Sequence, residues 1–278
     1  MKKLLALSLA ATMFLVPQVS FAEQTSDVQL DGEALVQKGS KVIFKADEIK
    51  DAKEILKKAK KLSKEEIKAE GMIAKSSNKD EKVKLNVHRW EQKLEAIQNP
   101  DGSIVEKYAV NTIADIGTQS VSAAAAEPTG TYSNDPSSDI DSTSSVKTNM
   151  TYYYYIYKDG INNTTVWIKG HAFYASFTKL DSQVSGITQL TLSMYEQGNL
   201  YGGGRLGTDV IINNPIASPV FGTNYYINVN NYAPFHYVNT TDGISGNAGY
   251  FKATFKRGTS GTLSFTAGIS KGAAAIPW

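Results

Sequence analysis

The residues whose types and spacing best suit chemistry are Tyr226, Asn228, Asn230 and Tyr232. Along a strand, positions two apart share a face, so these four project opposite Tyr225, Ile227 and Val229. Rings alternating with amides can stack on sugar rings and hydrogen-bond their hydroxyls. The same alternation also suits an ordinary exposed strand face, or one lying against other tyrosines. A second aromatic run is Tyr152-Tyr153-Tyr154-Tyr155-Ile156-Tyr157, leading into Lys158-Asp159-Gly160 and then to Val166, Trp167, Ile168, Phe173, Tyr174 and Phe177. From it, Tyr152, Tyr154 and Trp167 join the four as candidate ligand-binding residues.

Three motifs suggest reactive chemistry and fail on context. Gly268-Ile269-Ser270-Lys271-Gly272 has the G-x-S-x-G pattern of a nucleophile elbow. An elbow needs a helix after it and an acid and a His later in the chain, and the six residues that follow hold neither. The expectation there is a turn after the last strand. Gly202-Gly203-Gly204-Arg205-Leu206-Gly207 contains G-x-G-x-x-G, but a strand-like run from Asp209 to Asn213 follows rather than a helix, so it reads as a loop. His88, His171 and His236 show no metal-binding spacing. Asp135, Asp139 and Asp141 have oxygen ligands for Ca²⁺, but a twelve-residue loop begun at Asp139 would end on Met150, and a solvated linker is the simpler reading. Paired carboxylates for sugar hydrolysis meet only in space and cannot be read from spacing. The expectation is therefore no cofactor and no metal, and it leans away from an enzyme.

The elements that must position the aromatic groups come next. Aromatic and β-branched residues suit a pleated, half-buried surface, and Asp159-Gly160 suits a two-residue hairpin turn. With that turn, Tyr153 faces Val166 and Tyr152 faces Trp167. Tyr153, Tyr155, Tyr157 and Val166 then share one face, and Tyr152, Tyr154, Ile156 and Trp167 the other. Further strands follow from alternation: Leu190, Leu192 and Met194 with Thr188; Phe251, Ala253 and Phe255; Leu263, Phe265 and Ala267. About eight short strands with Gly, Asn and Pro turns predict an antiparallel sandwich or barrel over 151–278.

The first half reads differently. Before Pro128 there are one Tyr and five Gly; from Pro128 on there are 14 Tyr and 17 Gly. We expect a strand at Lys41 to Phe44 and a helix from about Asp47 to Lys61. A second helix is opened by the capping box Ser63-Lys64-Glu65-Glu66 and closed at Gly71. A hairpin then turns at Asn99-Pro100-Asp101-Gly102. The expected fold is thus two-domain: a small N-terminal α+β domain over 23–121 and an all-β sandwich over 151–278. They are joined by a Ser/Ala/Asp-rich linker over 122–150.

Residues 1–22 have the form of a secretory signal peptide, with Lys2 and Lys3, an apolar stretch from Leu4 to Val16, and Ser20 and Ala22 at the cut. That stretch is short of the ~20 residues a bilayer span takes. The chain has 29 basic and 27 acidic residues; two of the basic ones lie in the leader, so the mature chain from Glu23 is near neutral. That argues against nucleic acid or an anionic membrane as a broad electrostatic partner. With no Cys there is no disulfide, thiol nucleophile or thiolate metal site, a usage common in exported Gram-positive proteins. The reading is an exported, secreted, non-enzymatic protein whose β-sandwich binds an extracellular ligand, a glycan or cell-wall material. The alternative is a secreted membrane-active toxin or antimicrobial, with residues 23–127 as a pro-region and the hydroxyl-rich segment from Ser137 to Thr151 forming a membrane hairpin.

Overall fold

A computed structural model describes residues 35–273 apart from 80, 121–143, 161–164, 207–209 and 233–234. Residues 1–22, read above as a signal peptide, and Asp135, Asp139 and Asp141 lie outside the described residues. In chain order the elements are β1 (Lys41–Lys45), α1 (Ala52–Lys58), β2 (Lys60–Lys61), α2 (Lys64–Ala69), β3 (Ile73–Ser76), β4 (Glu81–Gln98), β5 (Ile104–Ser120), β6 (Ser144–Lys158), β7 (Val166–Lys179), β8 (Val184–Gln197), β9 (Val210–Pro215), β10 (Asn224–Asn228), a 3₁₀ turn (Val229–Asn231), β11 (Val238–Asn239), β12 (Gly246–Arg257) and β13 (Gly261–Gly272).

They form two antiparallel sheets. The larger runs β1-β4-β5-β6-β7-β10, with β2 added to β4 and β11 to β7; the smaller runs β3-β13-β12-β8-β9. The expected change of fold at 122–150 does not divide them. β5 pairs with β6 from Ile104↔Lys158 to Gly117↔Ser144, and β3 joins the smaller sheet through β13. From Leu35 onward the chain is one compact unit. The last residues assigned to the linker, 144–150, are strand, because Val146 and Met150 alternate inward and are buried, with Thr148 buried between them. Composition hid a strand whose inner face needs only every second residue to be apolar. Cleavage near Ala123–Glu127 would cut the chain between β5 and β6, two paired strands of one sheet.

The core lies between the sheets. Phe177 of β7 meets Phe251 and Phe255 of β12 at ring-centroid distances of 5.0 and 5.5 Å, and Phe251 meets Phe265 of β13 at 5.4 Å. Gly249 lets the sheets approach: a Cβ there would stand 2.7 Å from the Phe173 ring. The inward alternation expected for β12 and β13 is observed. In β8 a bulge at Thr188 pairs Gln189 with Thr254 but Ile187 with Phe255, so Ile187 turns inward and Thr188 is exposed.

The aromatic hairpin differs from its expected register. Lys158 pairs with Val166 and Tyr157 with Trp167, so seven residues, 159–165, separate β6 from β7. Asp159-Gly160 is not the tight turn. Gly160 instead lies against the turn between β4 and β5, where a Cβ would come within 2.6 Å of the Asp101 carbonyl oxygen and the Ser103 amide nitrogen. The longer loop carries Trp167 to the face of Tyr157, opposite the one predicted. Tyr152, Tyr154 and Ile156 do share the inner face.

The short helices follow their caps. Asp51 accepts from the Glu54 amide to start α1 at Ala52, five residues later than expected, and the Ser63–Glu66 capping box opens α2. The G-x-S-x-G segment lies within β13, paired to β12, so it is ladder rather than the turn expected.

Candidate functional site

β9 is the edge strand of the smaller sheet and β10 that of the larger. Between these edges lies a concavity of about 310 Å³. β9 and the residue just after it contribute Asn214 and Ile216; β10 and the 3₁₀ turn contribute Asn224, Tyr225, Tyr226, Ile227, Asn228 and Asn231, followed by Tyr232. β10 is held in place by pairing with β7 from Asn224↔Ser176 to Asn228↔Ala172, with Ile227 buried as its anchor. The strand ends at Asn228 because its side chain accepts from the Asn230 amide (2.9 Å), starting the 3₁₀ turn. The strict alternation predicted for 226–232 therefore breaks there. Asn230 does not line the concavity, whereas Tyr232 re-enters it after the turn.

Tyr226 is 55% exposed and Tyr232 44% exposed. One face of the Tyr226 ring is backed by Tyr174 of β7, stacked at 5.6 Å and 22°. Tyr174 in turn takes the edge of Tyr153 at 5.5 Å, and the Tyr153 hydroxyl donates to Glu48 (2.6 Å). A line of tyrosines thus crosses β6, β7 and β10 and ends at the concavity. The side-chain amides of Asn214, Asn224 and Asn231 form no hydrogen bond among the described residues. The arrangement offers flat apolar rings beside groups that both donate and accept, which is what a polyhydroxylated ring requires.

Three of the predicted residues, Tyr226, Asn228 and Tyr232, are brought together. Three are not. Tyr152 is 0% and Tyr154 1% exposed, both in the core. The Tyr152 hydroxyl donates to buried Asn247 Oδ1 (2.5 Å) and that of Tyr154 to the exposed Glu91 (2.9 Å). They are structural, because the inner face of β6 is the one the smaller sheet covers. Trp167 sits half-buried on the other face of its sheet, edge-on to Tyr201 at 5.3 Å. Its neighbour is Tyr157, itself 4.9 Å from Tyr201. Sequence reasoning missed Asn224 and Asn231, beside the predicted residues, and Asn214, which comes from the edge of the other sheet.

It also missed a buried acid. Glu196, at the end of β8, is 0% exposed. Its carboxylate accepts from the His236 backbone N–H (2.8 Å) and lies 3.1 Å from His236 Nδ1. Burial pushes its pKa up to about 7, against the opposing pull of the His236 hydrogen bonds and the charge of Lys169. Lys169 stands 6.0 Å over the Tyr237 ring. Nearby, Asn247 Nδ2 is buried without a hydrogen-bond partner. The only sequence signal was an acid at the inward end of an apolar strand. Glu196 fastens the segment that follows the 3₁₀ turn to β8, so it helps position the aromatic edge.

Among the described residues no three His, Asp or Glu side chains group to hold a metal ion, and no helix is long and apolar enough to cross a membrane. No protein-family model, curated protein or solved structure matches the chain.

Proposed function

We propose that this is an exported, non-enzymatic binding protein that holds an extracellular glycan in the concavity between β9 and β10. One observation carries the reading: Tyr226 and Tyr232 stand exposed around a recess that also gathers Asn214, Asn224 and Asn231, whose amides bond to nothing else among the described residues. Exposed aromatic rings gathered round one recess, unlike rings scattered singly, suit a binding groove. Sugar rings suit them, with C–H faces for the tyrosines and hydroxyls for the amides. Export rests on the leader-like residues 1–22.

The test is retention of the mature chain, 23–278, on peptidoglycan and on insoluble polysaccharides. The whole chain is used because β4 and β5 are part of the sheet that carries β10. Retention on at least one matrix, lost in Tyr226→Ala, is expected. Passage through all of them would refute the reading.

A further inference from the structure

Resting on the glycan reading, the structure assigns the site between β9 and β10 to neutral sugar chains rather than acidic ones. The chain between Asp209 and Asp242 contains no Asp, Glu, Lys or Arg, although 20% of all residues are charged. That stretch builds the whole concavity: β9, β10, the 3₁₀ turn and Tyr232. Its lining consists of Tyr, Asn and Ile alone. The one His of that stretch, His236, has its imidazole facing Glu196.

This composition has consequences for the ligand. A uronate, sulfate or phosphodiester brings a charge that needs an Arg, a Lys or a bound cation to offset its desolvation. Tyrosine rings and neutral amides cannot supply that offset. A neutral hexose or N-acetylhexosamine chain needs none, and Asn214, Asn224 and Asn231 offer its hydroxyls both donors and acceptors. Binding at such a site carries no screened Coulomb component, so salt has little to weaken.

The experiment applies the mature chain to a printed array of neutral and acidic oligosaccharides at 50 and 500 mM NaCl, alongside Tyr226→Ala and Asn224→Ala. Expected is binding to neutral chains that changes less than about twofold between the two salt concentrations. It should fall roughly tenfold or more in Tyr226→Ala and about threefold in Asn224→Ala. Circular dichroism and melting of both variants separate lost binding from lost folding. Binding confined to acidic chains, or weakened more than tenfold by salt, would overturn the neutral assignment and leave the glycan reading standing. Neutral binding unaffected by either variant would overturn the site. No binding to either set would remove the glycan reading itself.

Discussion

Replacing Glu196 by Gln should abolish most of the fall in stability between pH 4.5 and pH 8. The native carboxyl is fully buried, and its pKa is raised from 4.5 to about 7 by burial. Below pH 4.5 the group is protonated in both folded and unfolded chains, and its full stabilising contribution is present. Between 4.5 and 7 the unfolded chain releases the proton while the folded one holds it, so stability falls as pH rises. Above 7 both forms are ionised and the contribution is gone. A displacement of that size corresponds to about 3 kcal/mol, or a Tm lower by roughly 6–12 °C for a chain of this length.

Gln keeps an oxygen to accept the His236 N–H and has no proton to lose. Glu196→Gln should therefore match the parent near pH 4.5 and exceed it by about 3 kcal/mol at pH 8. The groups facing Glu196 are the His236 imidazole, Lys169 and the Tyr152 hydroxyl. The carboxyls held below their usual range, Glu66, Asp101, Glu106 and Asp242, act in the opposite sense and only below about pH 4.5. Urea denaturation at half-unit pH steps reads the effect. An equal fall in parent and Glu196→Gln, or a slope removed instead by His236→Gln, would refute the assignment.

Three other outcomes follow from the packing. Gly249→Ala drives a methyl to 2.7 Å from the Phe173 ring and should cost about 1–3 kcal/mol by thermal unfolding. Tyr152→Phe removes the hydroxyl that donates to buried Asn247, whose Nδ2 lacks a partner among the described residues, and should cost about 1–3 kcal/mol in urea. The fragment 151–278 keeps β7 to β13 but loses β3, β4, β5 and the start of β6. It should show no cooperative transition and should aggregate through the uncovered β6 edge, as light scattering would report.

Strand identity was largely legible from the sequence; sheet membership was not. Phe251, Ala253, Phe255, Leu263, Phe265 and Ala267 announced their inward face because period-two alternation is local. The Ser63–Glu66 box was legible for the same reason. The joining of β5 to β6 across 121–143 depends on which edges meet, and the chemical contrast between the halves suggested a boundary where the sheet continues. The hairpin register failed on Gly160, whose glycine serves a close approach to the Asp101–Ser103 backbone rather than a turn. That error moved Trp167 to the wrong face. At the site, Tyr226 and Tyr232 were identifiable as exposed rings with amides between them. Asn214 was not, because it arrives from another sheet. The Asn228 cap also broke the expected alternation without removing Tyr232 from the recess.

The most direct measurement is a titration of ¹⁵N-labelled residues 23–278 with the best array ligand, following side-chain NH₂ and indole resonances together. The account predicts that the amides of Asn214, Asn224 and Asn231 shift in saturating fashion while the Trp167 indole stays still. Shifts at Trp167 with the three amides unmoved would place the ligand elsewhere and contradict it.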